Sequence, residues 1–227
     1  MPEFVSDTIL KRDLLSEIHR GHMKDRPDRI VIRRVVTRTP WWTRPLARLL
    51  ARREYACLEA VSRELGRVAP APLGRDAHGH YRSWVEGEPL DLARPGDPFW
   101  YRDAFRLLRI LRRRGVTHND LAKPQNWLML PDGSAGLIDF QLAWRHRRRG
   151  PLYRFMAYED FRHLLKQMHR YAPEMMTPTA RRVYGRRSLP NRIWRSSGKR
   201  VYNAITRKLL HWADREGKGI GHDRTPL

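Results

Sequence analysis

The segment 116–141 constrains the fold of this chain more than any other part of the sequence. It places Asp120 on a polar stretch, Asn126 shortly after it, and then two short apolar runs that end at Asp139. The Pro-Asp-Gly sequence between these runs predicts a turn, and the runs therefore predict a β-hairpin. Because Asn126 and Asp139 lie at strand ends, we expect the hairpin to bring them together beside Asp120.

These three residue types suit phosphoryl transfer. One carboxylate can orient an attacking hydroxyl and accept its proton, which is the role we predict for Asp120. The amide oxygen of Asn126 and the carboxylate of Asp139 are hard oxygen ligands of the kind that Mg²⁺ prefers. The segment therefore predicts a site that binds Mg²⁺ and a phosphate-bearing substrate.

The same segment resembles the catalytic segment of the protein-kinase-like superfamily. The matching runs are His118-Asn119-Asp120, with the central Arg of the family's His-Arg-Asp replaced, and Asp139-Phe140-Gln141, with the Gly of Asp-Phe-Gly replaced. The resemblance implies that Asp120 is the catalytic base and that Asn126 and Asp139 bind the metal. Lys123 resembles the lysine that contacts the transferred phosphate, with a solvated lysine as the alternative.

The spacing departs from the family's pattern by one residue. The family's Asn lies five residues after its base, whereas Asn126 lies six after Asp120. We therefore expect a one-residue bulge at 122–124. Gln141 in place of glycine predicts a fixed Asp139 segment.

The N-terminal part fits the resemblance less completely. Glu54 is similar to the helical glutamate that holds the nucleotide-contacting lysine, but the strand before it has only Arg33 and Arg34 at the place of that lysine. Since side chains alternate across a strand, only one of them can face the cleft, and we favour Arg33. No glycine-rich loop is present, and 19–29 is our candidate for a turn covering the phosphates.

The pattern along the chain predicts an α+β, two-lobed, kinase-like fold, with a β-rich N-lobe over 1–88 and a helical C-lobe over 89–227. Strands are expected at 13–18, 29–36 and 80–85, and helices at 45–65, 98–114, 158–171, after Pro178 and at 191–216. The acidic turn that begins at Glu86 marks the lobe boundary, and Glu86 joins Arg33, Arg34 and Glu54 as a predicted nucleotide-binding residue. In the first helix we expect the buried side to include Leu46 and Leu49.

Two features follow the catalytic segment. Asp160 is expected to cap a helix or to brace the catalytic loop backbone, and the sequence leaves both roles open. No Ser or Thr occurs between Asp139 and Ala172, which excludes control by Ser or Thr phosphorylation in this stretch.

The charge balance favours phosphate-bearing partners. The 227 residues carry 46 Lys and Arg against 24 Asp and Glu, a net charge of +22 that is concentrated after residue 88. Arg145 and 147–149 are expected beside the mouth of the cleft, and an amphipathic helix from Trp194 to Trp212 is expected to attach to an anionic membrane. That helix could instead pack on the C-lobe with its charges solvated.

The remaining composition bounds the compartment. Cys57 is the single cysteine, which excludes an intramolecular disulfide and predicts a small buried side chain. No apolar run reaches the length of a signal peptide core or a membrane span. We therefore expect a cytoplasmic protein that can associate with a membrane surface.

The short segment after Asp139 is similar to that of small atypical kinases, among them the RIO kinases and the bacterial kinases of lipopolysaccharide core sugars. This resemblance, over residues 10–170, implies an ATP- and Mg²⁺-dependent phosphotransferase whose preferred acceptor is a glycolipid sugar hydroxyl. The alternatives are a RIO-like Ser/Thr protein kinase, a non-catalytic pseudokinase that binds an anionic partner, and a nucleic-acid-binding module supported by charge alone.

Overall fold

The structure of the protein is a computed structural model that describes residues 3–185. The described residues up to Arg181 form one compact unit. The predicted helix over 191–216, including Trp194 and Trp212, lies outside the described residues. No helix within 3–185 is long and apolar enough to cross a membrane.

The N-terminal part is a five-stranded antiparallel sheet. Its strands are β1 (Phe4–Arg12), β2 (Glu17–Met23), β3 (Arg26–Val35), β4 (Pro72–Arg75) and β5 (Gly79–Ser83), in the spatial order β1-β2-β3-β5-β4. β1 lies at one edge, and its pairing with β2 shifts register twice, between Ser6 and Thr8 and between Ile9 and Lys11. Together with the helices described below, this sheet gives the mixed α+β fold class that the sequence predicts.

The predicted strand over 13–18 is wrong, because its first half is the turn between β1 and β2. The Asp13 carboxylate accepts hydrogen bonds from the backbone N–H groups of Leu15 and Ser16, each at 2.8 Å, and this closes the turn. The region 19–29 forms the end of β2, a short turn and the start of β3.

One long helix, α1 (Arg44–Leu65), packs against the sheet. It begins with Pro45 in its first turn and ends at Gly66, whose φ of 55° is readily adopted only by glycine. Its buried side includes Leu58, Leu65 and Cys57, and Cys57 is fully buried. The prediction that Leu46 and Leu49 lie on this side is wrong, because both are about half exposed.

The remaining described residues are mostly helical. The helices are α2 (Leu90–Ala93), α3 (Pro98–Arg113), α4 (Pro151–Tyr171) and α5 (Pro178–Gly185). Short strands lie between them: β6 (Glu88–Pro89), β7 (Val116–Thr117), β8 (Trp127–Met129), β9 (Ala135–Leu137) and β10 (Trp144–Arg145). β8 and β9 form the predicted hairpin, and β10 pairs with β7.

Trp100 and Trp127 anchor the core beside this hairpin, with ring centroids 5.9 Å apart. Both rings are almost completely buried, and the Trp100 indole N–H donates to the Leu128 carbonyl at 3.1 Å. A buried Trp needs such a partner for its N–H. Because Trp127 directly follows Asn126, this packing fixes the start of β8 next to the predicted metal ligand.

Candidate active site

The loop after β7 carries Asp120, and a buried histidine fixes its position. The His118 Nε2 is 3.0 Å from the Ile138 carbonyl oxygen, to which it donates, and its ring packs against that of Phe140 in a tilted arrangement, with the centroids 4.7 Å apart. Burial lowers the pKa of His118, although Asp139 and Asp120 lie close enough to oppose this. A neutral His118 therefore joins the catalytic loop to the Asp139 segment.

Asp160 braces the same loop from α4. Its carboxylate accepts hydrogen bonds from the backbone N–H groups of His118, at 2.7 Å, and Asn119, at 2.8 Å. Since Asp160 lies in the middle of α4, it does not cap that helix, and of the two roles left open the brace is correct. Burial raises the pKa of Asp160 to about 7, against the two N–H donors that lower it.

Asn126 contacts Asp120 directly. Its Nδ2 donates to the Asp120 backbone carbonyl at 2.9 Å and to the Asp120 Oδ2 at 3.0 Å. The extra residue in this loop is taken up by a turn from Asp120 to Lys123, followed by a short 3-10 turn over Pro124–Asn126. The amide therefore reaches the carboxylate despite the longer spacing.

Asp139 lies beside this pair, because the Ile138 backbone N–H donates to the Asn126 carbonyl at 3.0 Å. Asp139 has φ of 62° and Asn119 has φ of 68°, the left-handed region that non-glycine residues rarely adopt. The Asn119 Nδ2 donates to the Leu142 carbonyl at 2.9 Å, which links the two strained segments. Strained backbone of this kind is concentrated at functional sites.

Lys123 completes the group around Asp120. Its Nζ lies 3.2 Å from the Asp120 Oδ2, and about half of the Lys123 side chain is exposed. The Asp120 side chain, at 15% exposure, remains accessible from the same side. The structure thus brings together all four residues predicted for the loop and hairpin: Asp120, Lys123, Asn126 and Asp139.

Glu54 of α1 is the centre of a buried charge cluster. It pairs with Arg34 of β3, and its Oε1 lies 3.4 Å from Arg82 Nη1 and 3.6 Å from His80 Nε2. Burial raises the pKa of Glu54, but Arg82, His80 and Arg34 together outweigh it and leave that pKa below its usual value. Glu54 is therefore ionised and balanced by cations.

The preference for Arg33 as the partner of Glu54 is wrong. Arg33 opposes Tyr81 across the sheet, stacks on its ring at 5.0 Å and pairs with Asp76 at 3.0 Å. Alternation along β3 places Arg34 on the opposite face, toward α1. Since the sequence has no acidic partner adjacent to either arginine, only the tertiary contacts decide which one faces Glu54.

Two members of the Glu54 cluster, His80 and Arg82, were missed from the sequence. They are two residues apart in β5 and so share a face, and His80 directly opposes Arg34. The alternation in β5 was the available signal. Glu86, by contrast, lies exposed between β5 and β6, and it makes no hydrogen bond or ion pair with any residue of 3–185.

Comparison with known proteins identifies the fold through structure alone. No protein-family model matches the chain, and no curated protein matches its sequence. The Rio2 kinase from Chaetomium thermophilum matches with a TM-score of 0.57 and 17% identity, over 79% of this chain and 62% of that one. The match therefore spans less than two thirds of that structure.

The Rio2 kinase–ADP/Mg²⁺–phosphoaspartate complex from the same organism matches with a TM-score of 0.54 and 18% identity. This match covers 89% of the chain and 71% of that structure. At such identities the similarity concerns the fold. The chain has an α+β protein-kinase-like fold and is structurally similar to a RIO-type kinase.

Proposed function

We propose that this protein is an ATP-dependent phosphotransferase of the kinase type. The observation that carries the proposal is the group around Asp120, in which Asn126 and Lys123 contact the carboxylate and Asp139 lies beside them. Two left-handed non-glycine residues, Asn119 and Asp139, lie on the rim of this group and support a functional role.

Asp120 orients the acceptor hydroxyl and takes its proton as the phosphorus–oxygen bond forms. Lys123 faces the same carboxylate and places a positive charge where the transferred phosphoryl group carries negative charge. Both Asn126 hydrogen bonds come from Nδ2, which leaves the Oδ1 end of the amide for a cation. Asn126 Oδ1 and the Asp139 carboxylate would hold Mg²⁺, which supplies charge neutralisation at the phosphates.

The nucleotide phosphates would be bound by Arg34. Its Nε and Nη2 are buried and have no hydrogen-bond partner within residues 3–185, although the same guanidinium pairs with Glu54. Unsatisfied buried donors of this kind cost free energy, and a phosphate oxygen would satisfy them. Arginine binds phosphate through a rigid fork, so the missing lysine does not remove the cation from this place. Arg33 and Glu86 have no part in this proposal.

The acceptor is the finer part of the proposal. We infer a sugar hydroxyl of a membrane glycolipid, with a protein Ser or Thr hydroxyl as the alternative. The support is the sequence resemblance, together with exposed arginines at Arg145 and 147–149 that follow the Asp139 segment and would attract anionic lipid headgroups.

A second reaction is suggested by the phosphoaspartate in the related Rio2 complex. An aspartate of this cleft would attack the terminal phosphorus of ATP, releasing ADP, and water would then cleave the acyl phosphate to inorganic phosphate. This reaction consumes ATP without any acceptor. Hydroxylamine releases phosphate from an acyl phosphate, so hydroxylamine-sensitive labelling from γ-labelled ATP distinguishes it from transfer to a hydroxyl.

The experiment compares three Asp→Asn variants for Mg²⁺-dependent ATP binding and for turnover. Asp120→Asn should abolish transfer to an acceptor and leave binding within about twofold, because the base acts on the acceptor. Asp139→Asn should weaken Mg·ATP binding itself, by about tenfold or more. Asp132→Asn, in the exposed hairpin turn, is the matched control and should change neither. Full turnover by Asp120→Asn with a true acceptor would refute the assignment.

A further inference from the structure

An open cavity of about 740 Å³ lies between α1 and the tip of the β4–β5 hairpin. Its apolar wall is formed by Val36, Ala51 and Tyr55, and His80 also lines it. None of the catalytic-loop residues lines this cavity, and His80 is the one member of the Glu54 cluster that does, so the cavity adjoins that cluster and is distinct from the group around Asp120. The small side chain of Ala51 leaves the space that a larger residue on α1 would fill.

Three arginines line the cavity. Arg48 and Arg52 are one helical turn apart on α1, and Arg75 comes from β4 with its guanidinium 5.4 Å from the Tyr55 ring centroid. Within residues 3–185, no acidic side chain pairs with any of the three. Residues four apart on a helix project from one face, so Arg48 and Arg52 point to the same region.

The one acidic residue of the cavity wall is fully engaged elsewhere. Asp76 Oδ1 accepts the backbone N–H groups of His78 and Gly79, each at 2.8 Å. Its Oδ2 accepts from Arg33 at 3.0 Å and from the Tyr81 hydroxyl at 2.9 Å. The positive charge of the cavity is therefore not neutralised from within.

His80 supplies a buried polar atom at the cavity. Its side chain is 2% exposed, and neither of its ring nitrogens has a hydrogen-bond partner among the described residues. Buried ring nitrogens are normally paired, so an unpaired one next to a cationic cavity indicates a missing ligand.

We propose that this cavity binds a phosphoryl group, as free phosphate or as a phosphate monoester. Arginine guanidinium groups bind phosphate oxygens in bidentate geometry, and two arginines from one helix face with a third from the opposite wall surround such a group. The His80 Nδ1 contributes a further contact. Tyr55 and the apolar wall suit the organic part of a small ester.

The test titrates inorganic phosphate and phenyl phosphate at constant ionic strength, with binding followed by calorimetry. The double variant Arg48→Ala/Arg52→Ala should raise the dissociation constants at least about tenfold, since it removes two charge-assisted contacts. The matched control, Arg26→Ala/Arg29→Ala, removes the same charge from the exposed start of β3, away from this cavity, and should change them less than about twofold. All four arginines are exposed, so both variants should fold.

A second readout is the ring ¹⁵N spectrum of His80, assigned with His80→Gln. Phosphate should shift the His80 resonances in the wild type and not in Arg48→Ala/Arg52→Ala. Tighter binding of phenyl phosphate identifies an ester as the ligand class, whereas equal binding identifies free phosphate. Equal weakening in the two double variants, an unmoved His80 spectrum, or no binding of either probe would overturn the proposal.

Discussion

Removing the Asp160 carboxylate should both destabilise the protein and displace its catalytic loop. Asp160→Ala leaves the backbone N–H groups of His118 and Asn119 without their acceptor. Each unsatisfied buried donor costs about 1–3 kcal/mol. The hydrogen bond to His118 is fully buried and the one to Asn119 is partly buried. The destabilisation from these two donors is partly offset, because the substitution also removes a buried carboxylate whose desolvation is unfavourable. We therefore expect a loss of about 2–4 kcal/mol in the free energy of unfolding.

Urea unfolding followed by fluorescence measures this change. With an m-value of about 2–3 kcal/mol per molar, the midpoint should fall by roughly 1–2 M. Asp160→Asn keeps one acceptor oxygen and should lose about half as much. Turnover should fall at least about tenfold in Asp160→Ala, while Mg·ATP binding changes little, because the base on the loop moves and the nucleotide contacts do not.

The control is Glu159→Gln, the adjacent residue on α4. Among the described residues Glu159 pairs with Arg162 alone, at 3.3 Å, three residues further along α4. Glu159→Gln keeps the shape of the side chain and an acceptor oxygen for that contact, so the urea midpoint should fall less than in Asp160→Ala. Equal urea midpoints for Asp160→Ala and Glu159→Gln would refute the brace. A lowered midpoint with unchanged turnover would separate the brace from catalysis.

Three further results are expected. Arg34→Met should weaken ATP binding, measured by calorimetry, by about tenfold or more, while Arg33→Met should change it less than about twofold. Equal effects of the two substitutions would contradict the assignment of Arg34, and not Arg33, to the nucleotide phosphates. The pKa of Glu54 is held below its unfolded value, so the stabilisation that ionised Glu54 contributes is present above about pH 4.5 and is lost as the pH falls further. The urea midpoint of the wild type should therefore decline between pH 7 and pH 3, and that of Glu54→Gln should decline less. Burial raises the pKa of Cys57 to about 12, so a thiol reagent should label it only as the protein unfolds, and rapid labelling of the native protein would contradict its burial.

The catalytic segment could be predicted in detail because its chemistry is local in sequence. Asp120, Lys123, Asn126 and Asp139 all lie within 116–141, and a single hairpin brings them together. The brace by Asp160 could be predicted only as one of two roles. It joins residues about forty positions apart, and no local pattern records such a contact.

The errors occurred where long-range contacts decide the outcome. Period-two alternation shows that only one of Arg33 and Arg34 faces α1. Which one depends on Tyr81 of β5 and Asp76 of the β4–β5 turn, because both bind Arg33. β1 was missed because it is exposed along most of its length and shows no alternation of apolar and polar residues. The start of α4 was placed seven residues late, although Pro151 at its first position was an available signal.

The two register shifts in β1 have a consequence for the behaviour of the protein in solution. An exposed edge strand offers unpaired backbone groups to any other extended chain, and this is a common route to aggregation. Bulges at 6–8 and 9–11 twist β1 away from regular pairing, while Lys11 and Arg12 add like charge at its end. The other edge, β4, has four residues and begins with a proline, which has no N–H to donate. Both borders of the sheet therefore resist extension by a second molecule, which favours solubility at high concentration.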